Sequence, residues 1–351
     1  MVMMQHQFTY AQTYGMANKV ANLLMSLGVQ KGDRVAVYLP NCPQYLFSFF
    51  GILKAGAVVA AANPLYVERE IEHLVNNAGA RVIICADVFY PRVKAILPNT
   101  QLQHVLVCRL MGGAELGPEA RSFEEAAMAA PATHPTVPVS PRDLACLQYT
   151  GGTTGVSKGA MLTHANLVAN VYQVLEWLGW TDTPPGAETI LTVLPLYHSY
   201  AMTCCMNCGV ATGAKLVLLP RFELTQVLEA IRDQKVTVFP GVPTMYVAVN
   251  AHPKATEYGI SSIKVCNSGA APMPVEVMAE FEKKTGAAIV EGYGLSETSP
   301  VTHVNPIEGK RKPGSVGLPM PDTDVMIVDV EDSSKVLGLG ERGEICLKGP
   351  R

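Results

Sequence analysis

The sequence predicts an α/β protein: layered α/β subdomains on mostly parallel sheets, followed by a small β-rich unit. Three observations carry this. Short β-branched runs such as residues 34–39 (RVAVYL) alternate with helical patterns of roughly ten to fifteen residues, the rhythm of βαβ units. That rhythm occurs in two long stretches, separated by a Gly-, Ala-, Pro- and Ser-rich segment at 110–142. From Pro313 onward it gives way to short strands and turns.

Taken in order, Thr9 caps a helix whose apolar positions Tyr14, Ala17, Val20, Ala21 and Leu24 recur every three or four residues until Gly28 stops it. A strand at 34–39, helix at 44–54, strand at 57–61, helix at 68–78, strand at 81–85, helix at 87–96 and strand at 104–108 complete the first unit. Residues 110–142 read as a surface connection with one helical stretch near 122–130. The second unit runs through strand 144–148, helix 165–178, strand 189–194, a helix near 201–210, strand 215–219, helix 223–234 and strand 236–239. It closes with helix 242–250, strand 263–267, helix 274–285 and strand 288–290. Short strands at 324–328 and 343–347 make the β-rich end, so the expected domains are 1–140, 141–310 and 311–351.

Composition narrows the function classes. A chain of 351 residues can bury a large core, and 48% apolar with 16% charged residues sets it apart from disordered chains. The net charge of −3 gives no polyanion signature, so nucleic acid is not an expected partner. Nine cysteines scattered through apolar runs suit buried thiols in a reducing cytosol. Cys204, Cys205 and Cys208 lack a second Cys/His pair for zinc and read as core packing. The opening MVMMQHQFTY has neither the basic segment nor the apolar core of a signal peptide. The most apolar window, 45–62, is interrupted by Gly51, Lys54 and Gly56 and reads as a core helix followed by a strand.

Residues 149–159, YTGGTTGVSKG, carry the clearest chemistry. An apolar strand leads into them, Gly151, Gly152 and Gly155 let the backbone approach an anion, hydroxyls and N–H groups supply donors, and Lys158 adds countercharge. An ordinary Gly/Thr turn is the bland alternative, and eleven consecutive residues of this chemistry weigh against it. Lys158 is followed by Gly159, where a Walker loop needs Ser or Thr, so a P-loop NTPase is disfavoured.

Further stretches are LPLYHSYAM (194–202), SGAAPMP (268–274), EGYGLSETSP (291–300), NPLY (63–66) and GSVGLPMP (314–321). With YTGGTTGVSKGAMLTHANL (149–167), the ordered set resembles the AMP-forming acyl-CoA synthetases of the adenylate-forming superfamily, most closely the bacterial long-chain fatty-acid–CoA ligases. The resemblance implies a two-step reaction. A carboxylate attacks the α-phosphorus of Mg·ATP to give acyl-AMP and pyrophosphate, and the CoA thiol then displaces AMP. Mg²⁺ is the implied cofactor, with ATP and CoA as co-substrates and a fatty acid as the acyl donor.

Residue by residue, the resemblance assigns Thr150, Gly152, Thr153, Thr154, Gly155 and Lys158 to the phosphate loop, and Glu297 with the Thr153 hydroxyl to Mg²⁺. It puts Gly269, Ala270 and Ala271 beside adenine and Tyr293 in stacking contact with it, within a nucleotide-binding stretch that includes Glu291, Gly292 and Gly294. Ser296 stands where most relatives have threonine and offers a hydroxyl to the α-phosphate region. His198 positions the acyl carboxylate, and Tyr200, Ala270 and Gly292 line the acyl site with it. The catalytic set so implied is Lys158, Thr153, Glu297 and His198.

In this family a leader of strands precedes the first helix. After the equivalent of GERGEICLKGPR come a ribose-binding aspartate, a hinge and a mobile C-terminal lid domain with a catalytic lysine. The 351 residues are therefore expected to be the N-terminal catalytic core, poorly active alone. Competing readings are an aryl or other carboxylate–CoA ligase, an amino-acid adenylation domain, or a non-catalytic nucleotide-binding fragment. FPGVPTMY (239–246) offers no acidic residue for a substrate amine, which disfavours the amino-acid reading. A cytoplasmic location, peripheral contact with the inner face of a membrane, and a homodimer are compatible with the resemblance.

Overall fold

The computed structural model of the protein describes residues 1–3, 6–112, 115–150 and 157–350. Short strands β1 (Val2–Met3) and β2 (His6–Gln7) precede helix α1 (Tyr10–Ser26). Thr9 and Gln12 cap α1 reciprocally, Thr9 Oγ1 accepting from Gln12 N at 3.1 Å and Gln12 Oε1 from Thr9 N at 2.8 Å. Four of the five expected core positions of α1 are buried, but Tyr14 is 52% exposed. Its ring lies under the Lys54 ammonium, 4.0 Å from the centroid, and its hydroxyl meets His134.

Next come β3 (Arg34–Tyr38), α2 (Pro43–Lys54), β4 (Val58–Ala61), α3 (Glu68–Ala78), β5 (Val82–Ala86), α4 (Tyr90–Ile96) and β6 (His104–Cys108). Each strand is an apolar run buried on both faces, as parallel sheets require. The stretch expected to be a surface connection contributes more: β7 (Ala120–Ser122) pairs with β6, and α5 (Phe123–Ala129) buries Phe123 and Ala127.

β8 (Leu144–Thr150) pairs in parallel with β4, and β9 (Lys158–Thr163) folds back antiparallel on β8. The first sheet therefore runs β7-β6-β5-β3-β4-β8-β9, and the boundary expected at 140/141 moves past residue 163. No strand was expected at β9.

The remaining helices are α6 (His164–Trp177), α7 (Ser199–Ala201), α8 (Cys208–Ala211), α9 (Leu224–Gln234), α10 (Pro243–Ala251) and α11 (Val275–Thr285), with a π-helical segment, Met202–Asn207, joining α7 to α8. The strands are β10 (Thr189–Thr192), β11 (Lys215–Leu218), β12 (Val238–Gly241), β13 (Val265–Ser268), β14 (Ala288–Gly294), β15 (Val301–Val304) and β16 (Leu318–Pro319). They form a second sheet in the order β16-β15-β14-β13-β12-β10-β11-β1-β2. The N-terminal strands thus belong to the sheet of the second unit. β16 also joins this sheet, so the separate β-rich unit expected over 311–351 reduces to the antiparallel pair β17 (Asp324–Val328) and β18 (Glu344–Lys348).

One apolar core reaches across both sheets. Asn41, 2% exposed, fastens them: its amide donates to the carbonyls of Thr192, Leu194 and Leu219 at 2.8–3.1 Å, and its Oδ1 accepts from Leu196 N at 2.8 Å. Cys205 is buried within this interior and Cys208 in an adjoining apolar cluster, in keeping with core packing, and burial pushes the neighbouring Cys204 thiol up to about 12. Among the described residues no helix is long and apolar enough to cross a membrane.

Candidate functional site

Each sheet ends in an antiparallel return, and the two returns face one another. In the first, Thr150 at the end of β8 pairs with Lys158 at the start of β9. Ser157 Oγ donates to the Thr150 carbonyl at 2.6 Å, and His73 Nε2 meets the Ser157 carbonyl at 2.8 Å. Lys158 is exposed. Gly152, Thr153, Thr154 and Gly155 lie outside the described residues.

In the second, β14 turns through Ser296–Thr298 into β15, and this turn packs against β8 and β9. Close approach shapes it. A Cβ on Gly294 would sit 2.1 Å from the Pro300 carbonyl oxygen, so only glycine fits. Buried Asn170 of α6 clasps Val301 from the side, accepting from its N–H at 3.0 Å and donating to its carbonyl at 2.8 Å.

Between the returns lies a cavity of about 570 Å³. It brings together Thr150, His198, Tyr200, Gly269, Ala270, Gly292, Tyr293, Gly294, Ser296 and Glu297 from widely separated segments. Lys158, Ala271 and Glu291 do not line it. Ser199, Asn267, Leu295, Pro300 and Val301 do as well, without having been assigned a role from the sequence; Ser199, Leu295 and Pro300 lie inside the LPLYHSYAM and EGYGLSETSP stretches, and Asn267 and Val301 directly beside motif stretches. Ser199 Oγ and Ser296 Oγ approach to 3.4 Å across the cavity wall.

The loop at 269–271 is shaped by backbone. Ala270 adopts φ +67°, a left-handed conformation costing an L-residue roughly 1–2 kcal/mol. Gly269 leaves room for the Tyr200 ring, which a Cβ would meet at 3.2 Å. The buried Tyr200 hydroxyl donates to Asn267, with its carbonyl at 2.7 Å and Oδ1 at 2.6 Å, and burial holds its pKa well above the usual phenol value. The Tyr293 ring stands tilted beside His303, centroids 6.2 Å apart.

His198 Nδ1 accepts the Tyr200 N–H at 3.2 Å, which leaves the proton of the neutral ring on Nε2. One edge of the ring remains open, yet the surrounding protein desolvates it and lowers its pKa below the ordinary 6.5. A neutral ring with an N–H donor can hold a carboxylate without transferring a proton to it.

The donor set at Glu297 fits Mg²⁺. Its exposed carboxylate makes no ion pair among the described residues, and it stands at the cavity beside β8 and β9. Mg²⁺ needs only one or two carboxylates when waters and phosphate oxygens complete its shell. Among the described residues there is no cluster of three or more His, Cys, Asp or Glu able to hold a metal by themselves.

A small apolar chamber of about 40 Å³ adjoins the cavity, sharing Asn267 and Val301 with it. Its walls include Val174, Trp177, Trp180, Cys204 and Met320.

The family model described as "AMP-binding enzyme" matches residues 1–351. The chain is 42% identical to a long-chain-fatty-acid–CoA ligase of Bacillus subtilis, over 95% of this chain and 63% of that protein. Among solved structures it is similar to ATP-bound MatB from Rhodopseudomonas palustris, with 31% identity and TM-score 0.88, covering 99% of this chain and 66% of the other. It is also similar to a long-chain-fatty-acid–CoA ligase (FadD1) from Archaeoglobus fulgidus, with 28% identity and TM-score 0.87, covering 99% of this chain and 71% of that one. The chain thus spans about 63% of the length of the curated relative it matches.

Proposed function

The chain belongs to the AMP-binding enzyme family, and from that premise we propose that its cavity binds ATP and activates a carboxylic acid with an apolar tail, a fatty acid, as acyl-AMP for transfer to CoA. The observation that carries this reading is the convergence of Thr150, His198, Gly269, Tyr293, Ser296 and Glu297 on one cavity between the two returns.

In the first step a carboxylate oxygen bonds to the α-phosphorus and the bond to pyrophosphate breaks. In the second the CoA sulfur bonds to the acyl carbon and AMP leaves. Both steps bring anions together, so donors fixed in advance lower the barrier most. Lys158 and the hydroxyl-rich loop hold the pyrophosphate side. Gly269 and Ala270 bring backbone against the flat base, and Tyr293 offers a ring face to it. Ser296 donates near the α-phosphate, and His198 Nε2–H holds the acid. Glu297 with Thr153 would hold Mg²⁺, which supplies neutralising charge to the phosphates. The small apolar chamber has room for only part of a hydrocarbon tail, each buried methylene contributing about 0.8 kcal/mol.

Isothermal titration with ATP·Mg²⁺ and with a non-hydrolysable acyl-AMP mimic tests the reading. Binding of both is expected, tighter for the mimic. Binding of neither would reduce the chain to a structural module. A pyrophosphate-release screen across acids of graded length and an aryl acid, run on this chain and on the longer protein, then identifies the acid.

A further inference from the structure

Lys158 is exposed, so packing does not hold its side chain, and the backbone beneath it decides where its ammonium can reach. That backbone is braced from behind by α3, a helix the proposed chemistry does not otherwise use. α3 buries Ile71, Leu74, Val75 and Ala78 in the apolar cluster that also takes in Tyr149, which ties the helix to the end of β8. His73 and Asn77 stand four residues apart on α3 and therefore share a face. Each makes one hydrogen bond to the β8–β9 return. His73 Nε2 lies 2.8 Å from the Ser157 carbonyl, and because a carbonyl only accepts, the ring carries a proton at Nε2. Asn77 Oδ1 accepts the Tyr149 hydroxyl at 2.7 Å.

These two bonds bear on the two chain neighbours of Lys158. The Ser157 carbonyl and the Lys158 N–H belong to one planar peptide unit, so a donor that fixes the carbonyl also fixes the start of Lys158. On the other side, Tyr149 pairs with Gly159 across the return, and its ring lies so close that a Cβ on Gly159 would meet it at 3.1 Å. Asn77 thus braces the residue after Lys158 through the Tyr149 ring, while His73 holds the residue before it. Neither His73 nor Asn77 lines the cavity between the returns.

We propose that His73 is a positioning residue for Lys158: from α3 it fixes the Ser157–Lys158 peptide, with Asn77 as a second brace, so that the lysine meets the pyrophosphate end of ATP. It touches no nucleotide atom itself. The proposal rests on the reading of the cavity as an ATP site. Leucine at this position keeps an apolar side chain against the return but offers no donor, whereas glutamine carries an amide N–H that can renew the bond.

The test displaces a fluorescent ATP analogue with ATP and with AMP from the wild-type chain, His73→Leu, His73→Gln, Lys158→Ala and the Lys158→Ala/His73→Leu double variant, with Tm measured alongside. His73→Leu should lose about fivefold in ATP affinity, the span of one hydrogen bond. Its affinity for AMP, which lacks the pyrophosphate end, and its Tm should hold, and His73→Gln should recover most of the ATP affinity. On the Lys158→Ala background the leucine should add less than about twofold, because a residue that acts through another is not additive with it. Asn77→Ala, which releases the other brace, replaces the leucine variant if that chain does not fold and carries the same expectation. Unchanged ATP affinity, a parallel loss of ATP and AMP binding, no recovery with glutamine, or a fully additive loss in the double variant would each overturn the proposal. A wild-type chain that binds no ATP analogue at all would instead overturn the ATP reading, and this proposal with it.

Discussion

The β8–β9 return and the β14–β15 return face each other across the cavity, yet they are built in different ways. The second is shaped by steric closeness and buried clasps: Gly294 against the Pro300 carbonyl, Asn170 on Val301 and Glu291 on Gly314. The first carries hydroxyls and the exposed Lys158, and among the described residues its mouth is tied by Ser157 and His73. The first return presents charge and donors from an exposed edge, whereas the second sets Ser296 and Glu297 on a sterically fixed frame. Substitutions in that frame should therefore damage the fold, and substitution of Lys158 the chemistry.

The largest expected effect is at Gly294. Gly294→Ala drives a Cβ into a backbone carbonyl that cannot move aside, and urea denaturation should show a loss of about 3 kcal/mol. Gly159→Ala on the opposite return meets the Tyr149 ring at 3.1 Å and the Leu147 Cβ at 3.5 Å, side chains that can shift, and should cost about 1 kcal/mol. Equal losses would erase the distinction. Next is Asn170→Ala, which leaves both polar groups of Val301 buried without a partner, at about 2 kcal/mol by the same measurement. Lys158→Ala should leave Tm unchanged while weakening ATP binding about tenfold in calorimetric titration, because an exposed lysine adds little to folding.

The smallest effect concerns pH. Desolvation lowers the His198 pKa below its ordinary value of 6.5, so in acid the unfolded chain takes up this proton first. Stability is complete above pH 6.5 and falls as pH drops from there through the lowered folded pKa. His198→Gln should flatten part of the decline in Tm over that window. His164, lowered in the same direction by burial, retains its share.

Much of this architecture is legible in the sequence, because the signals are local. α3 reads from 68 to 78 since Ile71, Leu74, Val75 and Ala78 mark one buried face and Gly79 ends it in a left-handed turn. The two returns were harder. KGAMLT and VTHV are short segments whose strand character comes from pairing with β8 and β14, and pairing is a long-range property. Sheet membership hides for the same reason: nothing in residues 144–150 says that they will lie beside β4 and not β10.

The site divides similarly. Residue type and spacing brought out most of the cavity's wall, from His198 to Glu297. They did not distinguish Gly292, which faces the cavity, from Glu291, which borders the space behind it. A strand sends neighbouring side chains to opposite faces, and which face meets the cavity depends on the neighbours.

A crystal structure of the chain soaked with ATP·Mg²⁺ tests the central claim most directly. The account predicts the base against Gly269 and Ala270 with Tyr293 over its face and the phosphates between Thr150 and Glu297. A nucleotide seated instead in the space bordered by Glu282, Glu291 and Arg311, or phosphates remote from both returns, would contradict it.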